Sequence, residues 1–213
     1  MIRAIIWDFD GVIIESEKLH IQAEINTMRK YGIELEDKVA SKYLGLRTED
    51  YFRELIKHYK ADVELSDMLE MHRAELMRLY SNAPLVEHVE QVLSELRGKY
   101  KMGLATSASR KMVELSFGRY DIGKYFEAEI CAEEVERGKP DPQVFIRACG
   151  KLGVSPSEAV AIEDAQNGFE AAKKAGMKVI ARRAEHNKEQ DFSSADYVVE
   201  DIRELPEILE KQE

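Results

Sequence analysis

Six short apolar runs punctuate the chain, at residues 2–7, 101–106, 128–131, 159–162, 178–181 and 197–199. Each has the length of a strand, and helical patterns lie between most of them. Val89, Val92, Leu93 and Leu96 recur at the i, i+3, i+4, i+7 spacing of one helix face, and Phe145, Ala148, Cys149 and Leu152 repeat it. Strands alternating with helices predict an α/β domain whose mostly parallel sheet is covered on both faces.

One segment breaks this alternation. The first run ends at Asp8, and the second starts only near Lys101. Between them, residues 16–82 show helical stripes and no strand pattern. Phe52, Leu55, Ile56 and Tyr59 form one stripe; Leu65, Met68, Leu69, His72, Leu76 and Leu79 form another. Roughly 65 residues of helix are far more than a strand-to-helix connection needs. The pattern predicts a small helical domain (16–82) inserted into a discontinuous α/β core (1–15 and 83–213). The hinges fall near residues 14–16 and 83–85, where Pro84 halts the preceding helix.

Composition narrows the function classes. Lys and Arg number 31 against 41 Asp and Glu, a formal net charge of −10. That balance argues against a broad footprint on a phosphate backbone, so nucleic acid is not expected as a partner. No apolar stretch approaches the roughly 18 residues of a membrane helix, and Asp8 cuts short the first run, so neither an anchor nor a secretory signal is expected. Cys131 and Cys149 form no CxxC pair; they read as small buried side chains of a protein in a reducing cytoplasm. There is no GxGxxG and no GxxxxGK[ST], and His58, His72, His88 and His186 have no paired metal spacing, so they read as surface or helix-face residues. The acidic tail 200–213 reads as a solvated terminal helix.

In open parallel sheets, ligands bind beyond the carboxyl ends of the strands. The residues there are Asp8, Asp10 and Gly11 after the first run, Thr106 and Ser107 after the second, Gly138-Lys139-Pro140-Asp141-Pro142 after the third, and Glu163-Asp164 with Asn167 and Gly168 after the fourth. Asp8 and Asp10, two apart on an extended chain, point to one face. Two carboxylates about 4 Å apart repel by roughly 4 kcal/mol at an effective dielectric of 20. Several converging acids therefore call for a hard divalent cation, and all-oxygen ligation suits Mg²⁺. Gly11 allows a sharp turn whose free amides would hold an anion. Thr106 and Ser107 can donate to phosphoryl oxygens, although Ser107 or Ser109 would equally serve as a helix cap. Lys139 can pair with an anionic substrate and an acid; taken alone, it reads as a solvated lysine.

Together, Asp8-Phe9-Asp10-Gly11-Val12, Thr106-Ser107, Gly138-Lys139-Pro140-Asp141-Pro142 and Glu163-Asp164-Ala165-Gln166-Asn167-Gly168 closely resemble the four motifs of the haloacid dehalogenase-like superfamily. They stand in that superfamily's order, and the helical insert falls where its small helical cap falls. The nearest likeness is to the branch of β-phosphoglucomutase and small sugar-phosphate phosphatases. The resemblance implies a Rossmann-like core with an inserted helical cap. It implies Asp8 as the nucleophile that becomes an aspartyl phosphate, and Asp10 as general acid and then base. Thr106 would bind the transferring phosphoryl group, and Lys139 would offset its charge. Mg²⁺ would be held by Asp8, the Asp10 carbonyl and Asp164, with Glu163 a direct or indirect ligand. Dehalogenase members lack the second acid, so Asp10 points to phosphotransfer.

The helical insert carries the signal for reaction type. Gly45-Leu46-Arg47-Thr48-Glu49-Asp50 resembles the cap loop that reaches into the site in this branch. Mutases there have a lysine before the glycine and an arginine three residues after it, for a second phosphate. This chain has Leu44 and Thr48 instead, and Arg47 is one position off. His20 matches a histidine of both mutases and phosphatases. Glu15 stands where the family more often has aspartate. The expectation is a cytoplasmic, Mg²⁺-dependent phosphatase of a small phosphorylated metabolite, a sugar phosphate; that metabolite is the expected partner, and a monomer is the expected state, with a dimer also compatible. A β-phosphoglucomutase-type mutase is the alternative.

Overall fold

The computed structural model describes residues 1–43 and 48–211. Among them, six parallel strands form one sheet: β1 (Ala4–Trp7), β2 (Lys101–Ala105), β3 (Ala128–Ile130), β4 (Ala159–Glu163), β5 (Lys178–Arg182) and β6 (Tyr197–Val199). Their order in space is β3-β2-β1-β4-β5-β6. The chain moves outward from β1 through β2 to β3, then returns to pair β4 with β1. The strand order thus reverses between β1 and β4, and the loops beyond those two carboxyl ends part to leave a crevice.

The chain divides into two compact units, residues 1–16 with 83–213, and residues 17–82. In the first, β1 is buried along its whole length, as a continuous apolar run in a central parallel strand must be. Ala4 and Ile6 pack on one face with Phe145, Ala148 and Phe169. These come from α7 (Gln143–Leu152) and α8 (Gln166–Ala175). Strand alternation sends Ile5 and Trp7, both fully buried, to the other face. Helices α5 (Val89–Leu96) and α6 (Arg110–Tyr120) also belong to this unit. The periodic residues of α5, Val89, Val92, Leu93 and Leu96, are all buried. Cys131 and Cys149 are free and buried, and burial pushes both thiols up to about 11.

The terminal segment differs from expectation. Helix α9 (Leu205–Glu210) is not simply solvated: Leu205, Pro206 and Leu209 are buried, and it packs against α5. Its acids occupy one face of an amphipathic turn, and composition alone hid the apolar face.

The second unit is helical: α1 (Glu17–Lys30), α2 (Asp37–Lys42), α3 (Thr48–Tyr59) and α4 (Leu65–Tyr80). Helix α4 packs against α1 and α3. Phe52 and Leu55 join Met28, Val39, Tyr51 and Met68 in its apolar centre, with Ile56 and Tyr59 against them. His72 is also buried, tilted on the Phe52 ring at 4.8 Å, so it is an interior residue of this unit. Among the described residues, no helix is long and apolar enough to cross a membrane.

Candidate active site

Asp8 follows β1, and Glu163 and Asp164 close and follow β4, so the strand-order reversal brings them together. Carboxylate oxygens of Asp8, Glu163 and Asp164 all lie within 4.8 Å of one another, and all three residues are buried. Lys139 enters from the segment after β3. Its Nζ donates to Asp8 Oδ1 at 2.6 Å, to Glu163 Oε1 at 2.6 Å and to the Ala105 carbonyl at 3.0 Å. The Phe145 ring lies 5.0 Å from the same ammonium. Its side chain is only 4% exposed, so this is no solvated lysine but a buried charge with two anionic partners.

Glu163 is occupied on both sides. Oε1 accepts from Lys139, and Oε2 accepts from the amides of Asp164 and Ala165 at 2.8 and 2.9 Å. Gly168 permits this: a Cβ there would stand 1.8 Å from Glu163 Oε1. Gly11 does the same for Asp164, where a Cβ would stand 1.8 Å from Oδ2, and its φ of +69° also favours glycine.

The electrostatics follow from burying three acids with one lysine. Burial raises the Asp8 carboxyl well above its usual range; Lys139 opposes this, while Glu163, Asp164 and Asp10 add to it. Asp164 rises to about 6, again through burial, opposed by a hydrogen bond from His186 and reinforced by Glu163 and Asp10. Burial pulls the Lys139 ammonium down, but Asp8 and Glu163 outweigh it and hold the group charged. One lysine therefore leaves the acids under-compensated. Oxygen-only donors short of positive charge suit a hard divalent cation, and Asp8 and Asp164 would hold it.

The other expected residues divide by position. Asp10 sits in the turn after β1, near enough for its charge to act on Asp8 and Asp164, although its carboxylate lies outside their 4.8 Å cluster. The Gly11 expectation needs correction: its amide donates to the Ile14 carbonyl, and those of Ile13 and Ile14 donate to Phe9, so these amides close the turn itself. Thr106 is buried, and its Oγ1 accepts from the Ala108 amide at 2.9 Å, which leaves its O–H to donate elsewhere. Ser107 is exposed, and the cap of α6 is Ser109. Thr106, Ser107, Gly138 and Lys139 line one cavity of about 270 Å³. Asn167 is exposed in the first turn of α8. His20 belongs to the helical unit, with Nε2 3.0 Å from the Tyr80 hydroxyl. Gly45 and Arg47 lie outside the described residues.

Three residues escaped the sequence reading. His186, expected at the surface, has Nε2 2.8 Å from Asp164 Oδ2. Asn187 Nδ2 donates to the Asp164 carbonyl at 2.8 Å, and Arg182 donates to the Gly11 carbonyl at 2.5 Å. All three stand at or just after the end of β5. Extending the strand-end reading by one strand would have reached them.

The comparisons with known proteins agree with this geometry. The sequence profile described as haloacid dehalogenase-like hydrolase matches residues 5–182. A Drosophila melanogaster protein named probable pseudouridine-5'-phosphatase is 32% identical over 82% of this chain and 79% of its own length. The phosphorylated carbohydrates phosphatase of Thermotoga maritima is 28% identical over 84% of this chain and 83% of its own. The crystal structure of β-phosphoglucomutase from Clostridium difficile superposes with a TM-score of 0.77 at 25% identity, covering 99% of this chain and 97% of that one. A parallel sheet whose strand ends gather Asp8, Lys139, Glu163 and Asp164 thus coincides with a profile match over most of the sequence, and the chain belongs to the haloacid dehalogenase-like hydrolase family.

Proposed function

We propose that this protein is a Mg²⁺-dependent phosphatase of a small phosphorylated metabolite, a sugar phosphate, acting through an aspartyl phosphate on Asp8. The observation that carries the reading is the buried Asp8 carboxylate held at 2.6 Å by Lys139, with Asp164 beside it. The phosphatases among its relatives support the reaction class.

The residues can be given roles. A carboxylate oxygen of Asp8 attacks phosphorus as the bond to the substrate's alcohol oxygen breaks, and that oxygen takes a proton from Asp10. Water then attacks the aspartyl phosphate and gives a proton to Asp10. The bond between phosphorus and Asp8 breaks, releasing phosphate and restoring the carboxylate. Lys139 orients Asp8 and offsets charge on the phosphoryl oxygens, and the Thr106 hydroxyl donates to one of them. Glu163 holds Lys139 in place. Asp8, Asp164 and the Asp10 carbonyl would hold Mg²⁺, which would supply positive charge against the phosphoryl group during transfer.

A β-phosphoglucomutase-type reaction is the second reading, favoured by the structural likeness to that enzyme. Thr48, where those mutases carry an arginine, weighs against it. A Mg²⁺-dependent phosphate-release screen over phosphorylated sugars, nucleotides and small acids tests the first reading. Asp8→Asn is expected to abolish turnover of a generic aryl phosphate, and substantial residual activity would overturn the assignment. Interconversion of β-glucose 1-phosphate and glucose 6-phosphate, with a bisphosphate primer supplied, would favour the mutase.

A further inference from the structure

The segment that ends and follows β5 reaches back to both acidic strand ends. Arg182 Nη1 donates to the Gly11 carbonyl at 2.5 Å, and Nη2 pairs with Glu15 Oε1 at 2.6 Å. Asn187 Nδ2 donates to the carbonyls of Asp164 and Arg182, at 2.8 and 2.9 Å. Its Oδ1 accepts from the Ala184 amide at 2.7 Å, closing a short turn over residues 185–187. Asn187 is 1% exposed. The turn is therefore anchored at its base to the backbone on either side of the site, and His186 projects from it. His186 Nε2 lies 2.8 Å from Asp164 Oδ2.

Asp164 is confined as a result. Its Oδ2 lies against Gly11, where not even a methyl group would fit, and it meets the imidazole as well. A carboxylate fixed through one oxygen cannot swing freely, and its other oxygen remains for a cation. Pairing with an anionic carboxylate assigns the proton to Nε2 of the imidazole. A ligand that is already oriented loses less conformational freedom on binding. Outer partners of metal ligands typically contribute about 10- to 100-fold to metal affinity.

We infer that His186 is a positioning residue for the cation: its hydrogen bond to Asp164 Oδ2 orients that carboxylate, and Asn187 holds the turn that presents the imidazole. The inference rests on the reading of Asp164 as a ligand of a divalent cation. Calorimetric titration of the full chain with Mg²⁺, alongside thermal melts without metal, tests both. His186→Ala is expected to weaken Mg²⁺ about 10- to 100-fold while the metal-free melting temperature changes little. His186→Gln, which can place an amide N–H where Nε2 stood, is expected to recover most of the affinity. If His186→Ala fails to fold, His186→Phe keeps the bulk of the ring without the donor and is expected to show the same loss. Wild-type affinity in the Ala or Phe variant, with Asp164→Asn weakened, would overturn the role of His186 and leave the cation reading standing. Equal losses in the Gln and Ala variants would also overturn it, because packing alone would then account for the effect. Wild-type affinity in Asp164→Asn would remove both.

Discussion

The two units bury polar side chains in opposite ways. At the strand ends of the α/β unit, Asp8, Glu163 and Asp164 converge on one another, with Lys139 among them. In the helical unit the interior polar groups are dispersed. His20 meets Tyr80, the Glu24 carboxylate accepts from Tyr51 at 2.8 Å, and His72 lies against Phe52. Like charges in contact are unfavourable unless a cation completes them. The α/β unit therefore carries an unfinished electrostatic arrangement, which is how a reactive site is built. The helical unit carries an arrangement that simply folds. Its polar pairs serve the packing of α1, α3 and α4.

Substitutions in each unit test this contrast. Asp10→Asn is expected to lower phosphate release by about 10²- to 10⁴-fold, the usual range for removing a general acid; a loss below tenfold at saturating Mg²⁺ would take Asp10 out of proton transfer. Lys139→Met leaves the acids without their counter-ion. It is expected to destabilise the fold by about 3–5 kcal/mol in urea titration, and an unchanged midpoint would mean that the cluster compensates itself.

In the helical unit the expected effects are smaller and concern stability. Burial lowers the His72 imidazole from 6.5 to about 4, so it is neutral in the folded state, while the unfolded state takes up a proton below 6.5. The contribution is fully present above pH 6.5 and is lost as pH falls toward 4, up to about 3 kcal/mol. Melting temperatures measured across that range should fall less steeply for His72→Leu than for the wild type; parallel curves would contradict the burial of a neutral imidazole. Tyr51→Phe removes the donor to Glu24, whose carboxyl is already raised by burial. A loss of about 1 kcal/mol is expected, and a larger one would bring this pair closer to the strand-end cluster in kind.

Much of this organisation could be read from residue order. The central strands betray themselves as apolar runs because a parallel strand is covered on both faces, as β1 and β4 are. The stripes of α3, α4, α5 and α7 follow from helical periodicity. Asp8, Lys139, Glu163 and Asp164 were found by position, since strand ends in such sheets face one crevice. His186 was missed because a lone histidine in a loop has no periodicity, and its partner lies 22 residues away in the chain. The Gly11 amides misled for a related reason. Glycine after an acidic pair predicts a turn, but not whether the turn's amides face outward or, as here, close on Phe9 and Ile14. Leu205 and Leu209 were obscured by the acids around them.

Residue order alone specifies the alternation of strands and helices, the helical interruption and the chemical inventory of the strand ends. Local periodicity and residue type are properties of the chain, and they survive without knowledge of its path. The folded arrangement alone shows which carboxylates meet, that Lys139 bridges Asp8 and Glu163, and that His186 and Asn187 hold Asp164. Those contacts depend on strand order and side-chain direction over a few ångströms, where burial and charge set the energy, and sequence spacing carries no measure of either.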